Sequence, residues 1–275
     1  MAVNLANKYQ KAIDQQYTQK SLSKSAFGMN YDFIGVKTAN IYTLTSQPWG
    51  NYTRTGADRY GTPSELQDTV QEMTINRDRS FSITVDKGNY IQGNMVKTKG
   101  RVLKIQMEEQ FYPELDTYNF GVLAASASTA GKVVTTAVTA ANAYEMLLDG
   151  GVSLDDDNVP EDGRIAFCSP TYYKFIKLDN SFIKASDLAM ETLIKGQIGE
   201  VDGVKIVKVP ASRLPANTAF ILTHPSANVA PMQLETYKTH EDAPGINGLL
   251  CEGRVIHDAF TQEQKTDACY QHKIA

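Results

Sequence analysis

The chain has 275 residues and carries 27 Lys and Arg against 31 Asp and Glu, a net charge of −4, which is not the basic profile of a nucleic-acid-binding protein. Hydrophobic residues make up 42%, charged residues 21% and aromatics 9%, so the chain has enough apolar surface for a core and lacks the composition of a disordered protein. The length suits one large domain or two modest ones.

The first twenty residues, MAVNLANKYQKAIDQQYTQK, are polar and lack the apolar core of a signal peptide. Leu5, Tyr9, Ile13 and Tyr17 recur at every fourth position, which predicts one apolar stripe on an otherwise polar helix. Such a stripe docks either on its own domain or on a neighbouring subunit. Lys8, Lys11, Lys20 and Lys24 against Asp14 give residues 1–30 a charge of +3 and, out of the net −4, leave −7 for the remainder.

Residues 37–45 read as extended chain, with Ile41, Thr43 and Leu44 strand-prone. From Gln47 to Gln67 the texture becomes a polar, glycine- and proline-marked loop holding Trp49, Tyr52 and Tyr60; long loops inside a compact chain are uncommon and often functional. A β-hairpin is expected next: Thr69 to Ile75, a polar turn at Asn76 to Arg79, then Ser80 to Asp86 with Phe81, Ile83 and Val85 on one face. Leu103, Met107, Phe111, Leu115, Tyr118 and Val122 predict a helix over 101–126 with a kink or restart at Pro113.

The second half reads as mixed helix and strand. Thr139 caps a helix that Gly150-Gly151 ends near Leu148; Arg164 to Cys168 is a buried strand; Ser169-Pro170 opens a helix with Tyr172, Tyr173 and Phe175. Strands follow at Val204 to Val209 and Phe220 to Thr223, and 249–273 is extended with turns at Glu252-Gly253 and Gln262 to Lys265. No stretch reaches the ~18 apolar residues of a membrane span.

No catalytic or metal constellation assembles from the motifs. Asp155-Asp156-Asp157-Asn158 begins like a calcium loop, but Val159 and Pro160 stand where a ligand and a glycine are needed. His224, His240, His257 and His272 lack the short spacing of zinc ligands, and Cys168, Cys251 and Cys269 form no Cys-x-x-Cys. Three widely spaced cysteines fit reduced thiols of a protein made in a cytoplasm. Gly196, Gly199 and Gly203 match no phosphate-loop spacing, and Ser169 lacks a nucleophile elbow.

Four strings carry a whole-chain likeness: SFSITVDKGN at 80–89, QFYPELDTYNFGVLA at 110–124, IGEVDGVKIVKVP at 198–210 and APGINGLLCEGRVIHDAF at 243–260. In this order, behind a short arm and a projecting segment, they resemble the tailed-bacteriophage major capsid proteins of the Hong Kong 97 type. The resemblance implies an α+β fold with an N-terminal arm at 1–30. An extended β-hairpin loop and a peripheral domain would occupy 31–138, with a spine helix near 101–126. An axial domain at 139–234 and return strands at 235–275 would complete the chain. It also implies a structural protein, not an enzyme and without cofactor or metal, that self-assembles as hexamers and pentamers of an icosahedral virion shell. The shell would enclose double-stranded DNA, form in a bacterial host cytoplasm with a separate scaffolding protein and a portal, and involve no membrane. Leu5, Tyr9, Ile13, Tyr17, Trp49, Tyr52, Tyr60, Arg77 and Arg79 are the expected inter-subunit contacts.

Some relatives join subunits through a lysine of the extended loop, but Trp49 to Phe81 contains no lysine, so a shell without covalent crosslinks is expected. The alternatives are an encapsulin-like nanocompartment shell of the same fold and an α/β enzyme with an unrecognised site.

Overall fold

The computed structural model describes residues 20–28, 37–44, 46–63, 65–92, 99–179, 199–241 and 243–274. After a 3-10 turn at Ser23–Ala26, the elements are β1 Thr38–Leu44, β2 Asp68–Thr74, β3 Arg77–Asp86, α1 Lys87–Gln92, α2 Lys99–Gln106, α3 Tyr112–Thr129 and β4 Val133–Thr135. Then come α4 Ala143–Asp155, β5 Ile165–Cys168, α5 Pro170–Leu178, β6 Glu200–Val201, β7 Val204–Lys208, β8 Thr218–Thr223, β9 Asn228–Val229, β10 Met232–Glu241, β11 Gly248–His257, β12 Phe260–Thr261 and β13 Cys269–Lys273.

The main core is a six-stranded mixed sheet in the order β4-β13-β8-β5-β7-β6. Its central strands, Ile165–Cys168 and Thr218–Thr223, are buried at every residue, as strands covered on both faces must be. Ala166, Cys168, Phe220 and Leu222 pack towards α4 and α5, while Ile165, Phe167 and Ile221 pack towards α3 and the arm segment at Ala26. The sheet draws β4 and β13 from outside 139–234.

A second sheet, β10-β11-β3, lies under α2 and the start of α3. The helical spine is continuous from Lys99 to Thr129, with a π turn at Met107–Phe111 immediately before Pro113. Proline removes one amide donor and crowds the carbonyl four residues earlier; the wider turn accommodates both, and the α-helix restarts at Tyr112 with Pro113 in its first turn, as expected. The extra residue also turns the helix phase: the fully buried positions of α3 are Asp116, Asn119, Phe120, Leu123, Ser126 and Ala127, whereas Leu115, Tyr118 and Val122 are half-buried.

Three expectations are corrected. Thr69 to Ile75 does not pair with Ser80 to Asp86. β2 pairs antiparallel with β1, Tyr42 opposite Val70, and β3 pairs with β11, Phe81 opposite Gly253; pairing is set by which faces find apolar cover, which adjacency along the chain does not reveal. Gly150-Gly151 does not end α4, which begins after Asn142 and runs to Asp155. A Cβ at Gly150 would stand 3.2 Å from Tyr270 Cε1, so this glycine permits close helix–sheet packing. Glu252-Gly253 is not a turn but the middle of β11, where a Cβ at Gly253 would lie 2.3 Å from Phe81 Cε1. The Ser169 cap holds: its Oγ accepts from the Tyr172 amide at 3.3 Å, with Pro170 following in the first turn.

Candidate assembly surface and the clasps behind it

β1 and β2 form a two-stranded ribbon, each strand roughly 23 Å long at ~3.3 Å per residue. One face is anchored at the root. Ala39, Ile41, Met73 and Ile75 pack with Val229, Ile256 and Phe260. Gln71 bridges the main chain of the C-terminal return, donating to the Thr261 carbonyl at 3.2 Å and accepting from the Glu263 amide at 3.0 Å. Gln264 donates to Thr69 Oγ1 at 3.0 Å.

The opposite face is open and carries an apolar patch among polar residues. Tyr42 and Leu44 are each 69% exposed and Val70, directly opposite Tyr42, is 51% exposed. The connecting loop also exposes Leu66, Tyr60 and Trp49, the last fully. Within the loop, Thr53 N donates to the Arg59 carbonyl at 3.0 Å, and Tyr52 and Tyr60 meet edge to face with centroids 5.0 Å apart. Its tip turns through left-handed backbone at Gly56 and Gly61 (φ 94° and 88°), where glycine is favoured. A two-stranded ribbon with one apolar face in water is marginal by itself.

Behind the ribbon, the string Pro113-Glu114-Leu115-Asp116-Thr117-Tyr118 places three polar side chains on two sides of α3. Glu114 and Tyr118, four residues apart, share one side; Asp116 points away from both. Glu114 accepts from Arg77 at 2.8 Å and pairs with Arg79 Nε at 2.7 Å, which ties the start of β3 to the spine. Tyr118 Oη donates to Asp258 Oδ1, while Asp258 Oδ2 accepts from the Asn76 amide at 2.9 Å. Burial, then the Asp258 carboxylate, pushes the Tyr118 phenol up to about 12. Arg77 also lies over the Tyr118 ring, 4.0 Å from its centroid.

On the other side, Asp116 is fully buried and holds the arm segment. It accepts from Ser21 Oγ at 2.7 Å, Leu22 N at 3.0 Å, Ser23 N at 3.1 Å and Ser23 Oγ at 2.7 Å. Arg213, also buried, donates to Asp116 at 2.8 Å and to the Lys20 carbonyl at 3.1 Å. Asn119 donates to Ser23 Oγ at 2.8 Å.

Of the expected contact residues, Tyr52 and Tyr60 meet on the loop, and Trp49 is fully exposed on the same loop. Arg77 and Arg79 are placed at the ribbon root, in ion pairs within the same chain. Leu5, Tyr9, Ile13 and Tyr17 lie outside the described residues. Sequence marks Leu44 only as strand-prone and does not single out Tyr42 or Val70; the i, i+2 pair Tyr42 and Leu44 is the available signal. Asp116 was also missed, because a carboxylate in an amphipathic repeat reads as solvent-facing.

The remaining candidates are structural. Asp155 pairs with buried Arg164 at 2.6 Å, and Asp157 pairs with Lys132. Cys168 is buried at a strand end and desolvation raises its thiol pKa, which opposes thiolate chemistry. Among the described residues no group of three or more His, Cys, Asp or Glu could hold a metal, and no helix is long and apolar enough to cross a membrane.

No family model and no curated protein sequence matches the chain. Solved structures match along nearly the whole length. A chain of the capsid structure of cyanophage P-SCSP1u superposes with a TM-score of 0.80 at 12% identity, covering 98% of this chain and 93% of that one. A chain of Mycobacterium phage Che8 gives 0.77 at 15% identity, with 97% and 96% covered. A chain of the asymmetric unit of the bacteriophage PhiM1 mature capsid gives 0.76 at 14% identity, with 98% and 92% covered. The α+β fold is therefore that of phage capsid chains.

Proposed function

We propose that this chain is the major capsid protein of a tailed bacteriophage: a structural subunit, not an enzyme, that closes into an icosahedral shell. The observation that carries the reading is the ribbon. Its apolar patch of Tyr42, Leu44 and Val70, together with Trp49 of the loop, is exposed among the described residues, and a fold shared end to end with phage capsid chains makes a second copy the natural cover.

In this reading the subunits form hexamers and pentamers around double-stranded DNA, guided in the host cytoplasm by a separate scaffolding protein and a portal. Residues 1–30 serve as the arm, 31–138 as ribbon and peripheral domain, 139–234 as axial domain and 235–275 as return strands. Trp49, Tyr52 and Tyr60 are aromatic anchors on the neighbour, large rigid side chains of the type that dominates interface energy. Leu5, Tyr9, Ile13 and Tyr17 dock the arm, and Arg77 and Arg79 set the angle at which the ribbon leaves the body. With no lysine between Trp49 and Phe81, packing alone holds the ribbon in place. Many weak contacts repeated over a closed surface make the shell stable while each contact stays reversible during assembly.

The test is negative-stain imaging of purified protein beside Trp49→Ala/Tyr60→Ala. Closed shells or tubes are expected for the parent, and folded, unassembled subunits for the variant. Monodisperse small oligomers of the parent under all assembly conditions would overturn the proposal.

A further inference from the structure

At the root of the ribbon, four elements meet on one histidine. His257 ends β11, is 2% exposed, and lies directly opposite Arg77 of β3 on the adjacent strand. Its ring stands edge to face against Phe111 of the π turn, 5.8 Å between centroids, and against Tyr118 of α3, 6.2 Å. His257 Nδ1 and Arg77 Nε are both buried without a hydrogen-bond partner. Such orphaned atoms are rare in a folded protein and mark a site held against a local cost.

The charged and titratable groups facing the ring are Arg77 and Arg79 from β3, Glu114 and Tyr118 from α3, and Asp258 beside it in the chain. Both carboxylates are already engaged: Glu114 by the two arginines, Asp258 by Tyr118 Oη and the amides of Asn76 and Ala259. From β10 the opposing residue is Met232, which offers nothing to a cation. A proton on His257 would therefore add a positive charge beside Arg77 and Arg79 where both neighbouring carboxylates are already bonded elsewhere.

We propose that this junction is an acid-sensitive latch: with His257 neutral it locks the ribbon root to the spine helix, and protonation of His257 releases it. The elements released are specific. Asn76 is bound to Asp258, Asp258 to Tyr118, and Arg77 to Glu114, so parting His257 from Arg77 disturbs the bonds of Asn76 and Arg77 towards α3 and leaves the Arg79–Glu114 pair as the remaining tie. Burial and then Arg77 hold the histidine below its ordinary value of 6.5, more than Asp258 and Glu114 raise it. A lowered folded value means that the open form binds the proton more tightly, so closure is complete above 6.5 and is lost as pH falls through the folded value. The latch is a property of the single chain and does not depend on the capsid reading.

Amide exchange of the full chain, corrected for the intrinsic rate, tests this at about pH 7.5 and about pH 5. Peptides covering 74–79 and 256–260 are expected to lose protection about tenfold or more in the parent at the lower pH, and to keep it in His257→Gln. Equal loss in both proteins, or no loss in the parent, would overturn the proposal. Exchange of the histidine ring C2 proton, read by mass spectrometry on the unmodified protein, gives a second measurement independent of the variant's folding. It should show His257 titrating below 6.5, and a value at or above 6.5 would equally sink the latch.

Discussion

Replacing Asp116 with alanine should free the arm segment and destabilise the subunit together. The carboxylate is fully buried and receives Ser21 Oγ, Leu22 N, Ser23 N, Ser23 Oγ and Arg213. The two hydroxyls can rotate to other acceptors, but the two amides and the guanidinium cannot. A buried donor left unmatched costs ~1–3 kcal/mol, and a buried cation deprived of its partner ~3–5 kcal/mol; these overlap, so a loss of about 4 kcal/mol is expected for the whole clasp. Urea unfolding of unassembled subunits, followed by circular dichroism, reads the loss. Trypsin cleavage after Lys20 and Lys24 reads release of the arm. Adding Arg213→Met should recover about 2 kcal/mol of the loss, since the stranded charge goes while the orphaned amides remain. A loss under about 1 kcal/mol with the arm still protected would refute the idea that Asp116 organises this junction.

Gly253→Ala should destabilise by about 1–3 kcal/mol, because the new Cβ would lie 2.3 Å from Phe81 Cε1 and 2.9 Å from Tyr237 Cδ1; thermal melts of the variant with and without Phe81→Ala should show the second change relieving the first. His272 is fully buried against Phe220, and burial lowers its pKa more than the Thr136 carbonyl and Asp149 raise it. The folded form thus resists the proton, so stability should fall as pH drops below about 6.5, and His272→Gln should flatten that part of the pH–Tm profile. Assembled particles boiled in denaturant should run as one band near 30.3 kDa, and a ladder of multiples would contradict the non-covalent shell.

The elements that sequence identified correctly are those whose determinants lie within a few residues. The cap and proline of Ser169-Pro170 announce α5, and the unbroken apolar run at Ile165–Cys168 announces a strand covered on both faces. The spine announced itself by length and periodicity, although its phase was misread because Pro113 is answered by a π turn. What failed was pairing. Two strand-like runs separated by Asn76-Arg77-Asp78-Arg79 satisfy every local rule for a hairpin, but β2 finds its apolar cover with β1 and β3 finds its own with β11. β10 escaped notice because Thr236, Lys238, Thr239 and His240 give a strand with no apolar alternation. Glycines at 150 and 253 look like turns in a string and prove to be contact points, because what a missing Cβ makes room for is a ring from a distant element.

The same reasoning accounts for the string Pro113 to Tyr118. Its polar residues each hold an element that has to leave the body of the protein. Glu114 takes the start of β3, Tyr118 reaches through Asp258 to the turn after β2, and Asp116 takes the arm segment. The arm segment enters the core through Ala26 and the ribbon root packs through Met73 and Ile75, so what the polar bonds add at these junctions is direction. Directional bonds do this better than apolar contact, which holds surfaces together without fixing an angle. In the proposed shell, a buried carboxylate and an arginine-paired carboxylate on one helix are the expected device for a subunit whose extensions would meet neighbours at defined positions, and the helix that carries Glu114 and Asp116 relates the start of β3 to the arm segment.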